Sequence, residues 1–172
     1  MYIISDDIKL SVLEDKEENY KLLEKWCNRE EIYKHFEQRI LKYDEIVNKY
    51  KPRCNINAEV PVYMIYYKNK KIGIIQYKNI KSNTYEFDIF IGEVNLHSKG
   101  LGEKVIKLIT NYLIDNKGAE TFLLCPLKEN EKAIKCYKKC GYKIVKEYKD
   151  FNTIGEEKEY VMMEYNYENN SL

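Results

Sequence analysis

Paired-cysteine motifs, histidine and an excess of charge of either sign are what this chain lacks. The five cysteines, Cys27, Cys54, Cys125, Cys136 and Cys140, contain no Cys-x-x-Cys pair, and only two histidines occur. The spacing that holds zinc or runs dithiol redox chemistry is therefore missing. An odd number of cysteines points to reduced, mostly buried thiols. Cys136 and Cys140 would share a helix face, but neither histidine lies beside them in sequence, and no metal is expected. Lys plus Arg number 29 against 28 Asp plus Glu. Without a global basic field, counterion release cannot hold nucleic acid. No apolar run reaches membrane-spanning length, and the opening Met1-Tyr2-Ile3-Ile4-Ser5-Asp6-Asp7 has neither the basic stretch nor the apolar core of a secretory signal. The expectation is a cytosolic protein, one domain over residues 1–172, bound to neither nucleic acid nor membrane. It contains no repeat, low-complexity segment or linker.

Glycine is sparse, so its clustering at Gly100 and Gly102 is informative. The run His97-Ser98-Lys99-Gly100-Leu101-Gly102-Glu103 lies between a strand-like segment ending at Ile91 and a strongly periodic helix. Two glycines in three residues let the backbone approach a ligand closely, and bare N–H groups at a helix opening attract a phosphate or pyrophosphate. That points to a nucleotide-like cofactor. The same glycines could serve chain geometry alone.

The rest of the chain reads as a mixed α/β domain. Residues 8–12 alternate as a half-buried strand. Tyr20, Leu23, Trp26 and Cys27 recur at helical spacing over residues 17–28. A second helical stretch is expected from Glu30 to about Arg39, and a third over residues 44–50, stopped by Pro52. Residues 60–67 and 72–77 read as a β-hairpin joined by Lys68-Asn69-Lys70-Lys71. In the next strand, 85–91, Tyr85, Phe87, Ile89 and Ile91 point one way while Glu86, Asp88 and Phe90 point the other. Val105, Ile106, Ile109, Tyr112 and Leu113 form the core stripe of the helix that follows the glycine turn, which ends near Gly118. A buried strand over 121–125 stops at Pro126. A helix from Asn130, placed to cap it, runs to Cys140 and Gly141, and strands over 142–148 and 158–167 complete the pattern.

This order, with Lys99-Gly100-Leu101-Gly102 followed by Asn130-Glu131-Lys132-Ala133-Ile134-Lys135-Cys136-Tyr137 and closing on Gly141-Tyr142, resembles the GNAT superfamily of N-acetyltransferases. Asp88 through Gly102 and Val161-Met162-Met163-Glu164-Tyr165 further resemble its aminoglycoside 6'-N-acetyltransferase branch. The resemblance implies a mixed central sheet of about six to seven strands with a splayed central pair, flanked by helices. It implies acetyl-CoA as cofactor. Carried over by motif, His97, Ser98, Lys99, Gly100, Leu101, Gly102, Glu103 and Lys104 would cradle the pyrophosphate, with His97 replacing a more usual Gln or Arg. Ile89, Phe90 and Ile91 would run beside the pantetheine, and Asn130, Ala133 and Tyr137 would meet the cofactor from the second helix.

Acetyl transfer to an alkyl amine needs a neutral nitrogen, and such an ammonium titrates near ~10 in water. By resemblance Asp88 would take that proton, Tyr137 would protonate the departing thiolate, and N–H groups near Phe90 and Ile91 would polarise the thioester carbonyl. Asp88 could instead be a plain strand carboxylate, and Tyr137 a core residue. Glu59, Glu86, Asp88 and Glu93 could line a site for a cationic acceptor, with Cys125 standing where the branch often has Asp. The implied reaction is direct acetyl transfer in a ternary complex to a small-molecule primary amine, foremost the 6'-amine of aminoglycosides, by a monomer or homodimer. Another small-molecule or protein amine, or coenzyme A binding without catalysis, stays open.

Overall fold

The computed structural model describes residues 2–167. The expected span of 1–172 thus includes Met1 and residues 168–172, which lie outside the described residues. Strands β1 (Tyr2–Ser5) and β2 (Ile8–Val12) precede helices α1 (Glu17–Cys27), α2 (Glu30–Tyr33) and α3 (Tyr43–Tyr50). Then come β3 (Val62–Tyr67), β4 (Lys70–Lys81), β5 (Thr84–Ile91), α4 (Leu101–Lys117), β6 (Thr121–Leu124), α5 (Glu131–Lys139), β7 (Lys143–Phe151) and β8 (Glu157–Asn166). The strands form one sheet in the order β1-β2-β3-β4-β5-β6-β8-β7. Its neighbours are antiparallel except for β5 and β6, which run parallel.

The sheet has eight strands, one more than the upper expectation. The addition is β1, in which only Ile3 is buried, so four residues carry too little alternation to be read as a strand. The second predicted helix is also shorter than expected. It ends at Tyr33, and Gln38 adopts the left-handed region with φ of 58° while donating its backbone N–H to Tyr33 O at 2.6 Å. The β3–β4 turn consists of Lys68 and Asn69 alone, both with positive φ (49° and 63°), the combination that a two-residue type I′ hairpin requires.

Each face of the sheet builds its own core. Tyr63, Ile65, Ile75, Tyr77, Tyr85 and Phe87 pack against Leu101, Val105, Ile109 and Leu113 of α4. Val62, Met64, Ile74 and Phe90 pack on the opposite side against Leu23, Trp26, Ile46 and Tyr50 of α1 and α3. The period-two alternation of β5 thus sends Phe87 to the α4 face and Phe90 to the α1/α3 face, as its pattern predicts. Two glycines let these layers close. A Cβ at Gly73 would lie 2.1 Å from Phe90 O, and one at Gly92 would lie 2.3 Å from the Trp26 ring.

Candidate active site

The central break in the sheet follows from the length of two strands. β5 and β6 pair only at Thr84–Thr121, Tyr85–Phe122 and Glu86–Leu123. β6 ends at Leu124, ahead of Pro126, while β5 continues to Ile91. Beyond Glu86 the two strands part. Gly92 N–H donates to Ile72 O at 2.7 Å, and the register of β4 with β5 is constant from there to Tyr85. By antiparallel alternation the backbone groups of Phe90, Asp88 and Glu86 are spent on β4, whereas those of Ile91, Ile89 and Phe87 face the gap. This amends the expectation for Phe90: its backbone points to Ile74, and its ring lies on the far side, edge-on to Phe36 at 5.0 Å and to Trp26 at 6.4 Å.

At the end of β5 the chain reaches the glycine turn. Ser98 and Gly100, on either side of Lys99, have positive φ, 62° and 75°, and left-handed residues within a turn aim neighbouring N–H groups to one side, the geometry of an anion-binding concavity. Gly100 is the N-cap of α4, no side chain caps that helix, and the first helical bond runs from Lys104 N–H to Gly100 O at 3.2 Å. The N–H groups of Leu101, Gly102 and Glu103 therefore lack intrahelical acceptors and carry the positive end of the dipole of a 17-residue helix. Space beside Gly100 is open, with no atom within 4 Å of where a Cβ would stand. His97 does something its motif position did not foretell. Its Nε2 lies 2.7 Å from Ile91 O, so the imidazole ties the turn to the strand that borders the gap. Glu103 pairs with Lys107 along the helix.

On α5, Asn130 caps the helix: its Oδ1 accepts from Ala133 N–H at 3.2 Å. Tyr137 is 9% exposed, its ring 6.4 Å from that of Tyr142. Burial raises its pKa well above the phenolic range, and the nearby Cys136 and Asp88 charges add to this. Tyr137 is thus a protonated phenol within the electrostatic reach of Asp88.

The α1/α3 face carries the opposite chemistry. Asp88 is exposed, and its Oδ2 accepts from Gln76 Nε2 at 2.9 Å. Gln76, only 5% exposed, in turn accepts at Oε1 from Arg53 at 2.8 Å. Glu86, one step along the same face, is half-buried, and burial together with the Asp88 charge raises its pKa. Burial, with Glu86 beside it, pushes the Cys125 thiol up to about 12, which leaves it protonated and a poor nucleophile at neutral pH. Lys49 contacts Glu37 and lies over the rings of Phe36 and Tyr50 at 5.4 and 5.5 Å. A wall is completed by the loop after α2, where Gln38 donates to the Tyr160 hydroxyl (3.1 Å) and accepts from Asn152 (3.0 Å), while Thr153 donates to Glu37 O (3.2 Å).

Asp88, Glu86, Cys125 and Tyr137 are thereby brought together around the gap. Two other candidates for the acceptor site are not. Glu93 accepts from Trp26 Nε1 at 2.8 Å and faces Arg29 at 3.8 Å, so it fastens α1 to the end of β5. Glu59 is a surface carboxylate paired with Lys78 at 2.9 Å. Arg53, Gln76, Lys49 and Glu37 belong to no motif. Gln76 alone left a signal, a polar residue inside the apolar run Ile72-Gly73-Ile74-Ile75 and Tyr77. Among the described residues no group of three His, Cys, Asp or Glu side chains is placed to hold a metal, and no helix is long and apolar enough to cross a membrane.

The parted parallel strand pair leads to the uncapped glycine turn. The family model described as acetyltransferase (GNAT) domain matches residues 15–150. The chain belongs to the GNAT acetyltransferase family. As a GNAT enzyme it uses acetyl-CoA, and the open N–H groups at Leu101–Glu103 and the unpaired backbone edge of β5 fit that donor. Among curated relatives, acetyltransferase PseH of Campylobacter jejuni subsp. jejuni serotype O:23/36 (strain 81-176) is 25% identical over 131 residues, 76% of this chain and 81% of that protein. The solved structure of aminoglycoside acetyltransferase AAC(6')-Ib with coenzyme A and kanamycin superposes with a TM-score of 0.77 at 18% identity, covering 94% of this chain and 95% of that one. RimL, a ribosomal L7/L12 alpha-N-protein acetyltransferase, gives 0.82 at 10% identity over 96% and 94%. These two likenesses establish the shared GNAT fold.

Proposed function

We propose that this GNAT enzyme transfers acetyl directly to a primary amine of a small cationic acceptor, an amino sugar of the kind represented by the 6'-amine of aminoglycosides. The observation that carries the reading is Asp88, exposed on the acceptor face, anchored by Gln76, and set where the parted strands open toward Tyr137. Acetyl-CoA supplies an activated thioester acyl group when bound. His97 to Lys104 would hold its pyrophosphate through backbone N–H groups, Ile89 and Ile91 would present backbone polar groups to the pantetheine, and Asn130 and Ala133 would border it from α5. Asp88 draws the ammonium into the site and takes its proton, directly or through a water. Tyr137 keeps a proton on its hydroxyl for the sulfur side. Glu86 and Cys125 line the acceptor pocket.

A second reading has its own support. Glu59 and Glu93 are committed to Lys78 and Arg29 and Lys49 to Glu37, which leaves the Arg53 cation, one amide away, as the charge set behind Asp88. Such a balance suits an acceptor with one amine and neutral or anionic groups elsewhere better than a polycation. A thiol-release assay with acetyl-CoA tests both readings, using three sugars (kanamycin, a mono-amino hexose and a phosphorylated amino hexose) and, beside them, a set of peptides with free amines. Higher kcat/KM for kanamycin supports the aminoglycoside acceptor. Turnover of a mono-amino sugar alone transfers the assignment to the second reading, and turnover of peptide amines in preference to all three rejects both.

A further inference from the structure

Asp88 does not stand alone on β5. Gln76 sits opposite it in register on β4, and Arg53 comes from the turn Lys51–Arg53 that ends α3. The order of atoms in this chain is dictated by chemistry. A guanidinium has donors only, so the group that Arg53 touches on Gln76 must be the amide oxygen. Gln76 then has only its N–H groups to offer Asp88. The amide cannot reverse without facing a cation with its own donors and a carboxylate with its own acceptor. Because Gln76 is almost wholly buried, neither of its ends can turn to water instead.

We propose that Arg53 and Gln76 are positioning residues for the acetyl-transfer reaction. They lock one Asp88 oxygen onto a permanent donor and so aim the other at the acceptor amine. This rests on the reading of Asp88 as the base. The carboxylate so aimed both attracts an ammonium and can take its proton. The charged and titratable groups that face Asp88 are Glu86 on β5, Lys49 and Tyr50 on α3, Cys125 after β6, Tyr137 on α5, and Arg53 acting through Gln76. The arrangement also couples acceptor binding to chemistry, since Arg53 and Lys49 belong to the segment that walls the acceptor side.

The test compares Asp88→Asn, Gln76→Glu, Arg53→Met and Arg53→Lys in the full chain by kcat, by KM for amine and for acetyl-CoA, and by the pH profile of kcat/KM. Gln76→Glu keeps a partner for Arg53 but turns an acceptor toward Asp88, so the acidic limb is expected to move up by about one pH unit or more. Arg53→Met frees the amide to reverse and is expected to lower kcat about three- to tenfold with KM for acetyl-CoA unchanged, and Arg53→Lys to recover most of that loss. An inactive Asp88→Asn enzyme combined with an unmoved limb in Gln76→Glu and an unchanged kcat in Arg53→Met overturns the relay and leaves the base intact. Wild-type turnover and an unchanged limb in Asp88→Asn overturn the base reading and the relay with it. Should Gln76→Glu not fold, the Arg53 pair decides by kcat alone.

Discussion

The two sides of the gap between β5 and β6 are built on opposite plans. On the α4 side the groups offered are backbone amides, made available by an uncapped helix, two left-handed residues and a strand that outlasts its neighbour. On the α1/α3 side they are side chains from distant parts of the sequence: Arg53 after α3, Gln76 on β4, Asp88 on β5 and Gln38 with Tyr160 at the rim. Backbone groups suit a partner that never varies, because any residue can supply an N–H provided the chain takes the right path. Side chains suit a partner that differs from one enzyme to another, because their identity can change without moving the path. On the α4 side the His97 ring is accordingly spent on Ile91 O, within the protein, while on the α1/α3 side each substitution would change the groups on offer.

Mutations that separate chemistry from binding should sharpen this contrast. The largest effect is expected from Asp88→Asn, which should lower kcat/KM by about a hundredfold or more in the thiol-release assay with the best acceptor. A loss of less than twofold would dissolve the proton role of the acceptor side. Tyr137→Phe should reduce kcat by only about three- to tenfold with both KM values unchanged, because a thiolate leaves readily; an effect as large as that of Asp88 would shift the proton chemistry to the other side of the gap. Gly100→Ala should act on binding instead. The added methyl meets no atom, but φ of 75° is unfavourable for alanine by about 1 kcal/mol, so acetyl-CoA KM rises several-fold while kcat holds, as steady-state titration would show.

Two further variants probe carboxylates that the sequence offered for the acceptor site and that differ in fate. Glu93→Ala should lower unfolding free energy by about 1–2 kcal/mol in denaturant titration, because Trp26 Nε1 and Arg29 lose their acceptor, and leave every kinetic constant unchanged. A raised acceptor KM would return Glu93 to the binding site. The smallest effect concerns Glu86. Its folded-state pKa lies above the ordinary carboxylate value because of burial and Asp88, so its contribution to stability is full at low pH and is lost as pH rises through the folded pKa. Glu86→Gln stays neutral, and should therefore melt above wild type at pH 7, the difference closing below about pH 4. An equal melting temperature at both pH values would show that Glu86 carries no such strain.

What could be read from the chain before folding follows the same division. Gly100, Gly102, Asn130 and Tyr137 were legible because helix openings, caps and core stripes are local, written within a few residues of one another. The faces of β5 were legible because alternation is a property of the strand itself. Phe90 was misassigned in part, since which backbone groups remain free depends on the register against β4 and on where β6 stops. Glu93 and Glu59 looked like candidates for the acceptor site only while their partners were unknown. The second helix was expected to reach about Arg39, and its early end at Tyr33 was not legible because the chain beyond it is held by contacts from Glu37 and Gln38 to residues more than a hundred positions away.

The sequence by itself determined the glycine turn, the helices that frame it, and a strand with Glu86 and Asp88 on the face away from Phe87, since each rests on periodicity or on the conformational freedom of glycine. Only the tertiary structure decided that Asp88 stays exposed, that Glu93 and Glu59 are taken up by Trp26, Arg29 and Lys78, and that Arg53 and Asp88 meet at the two ends of the Gln76 amide. Those outcomes depend on side chains meeting across β4, α1 and α3. A meeting between distant segments has no local signature, because it is set by how the layers pack.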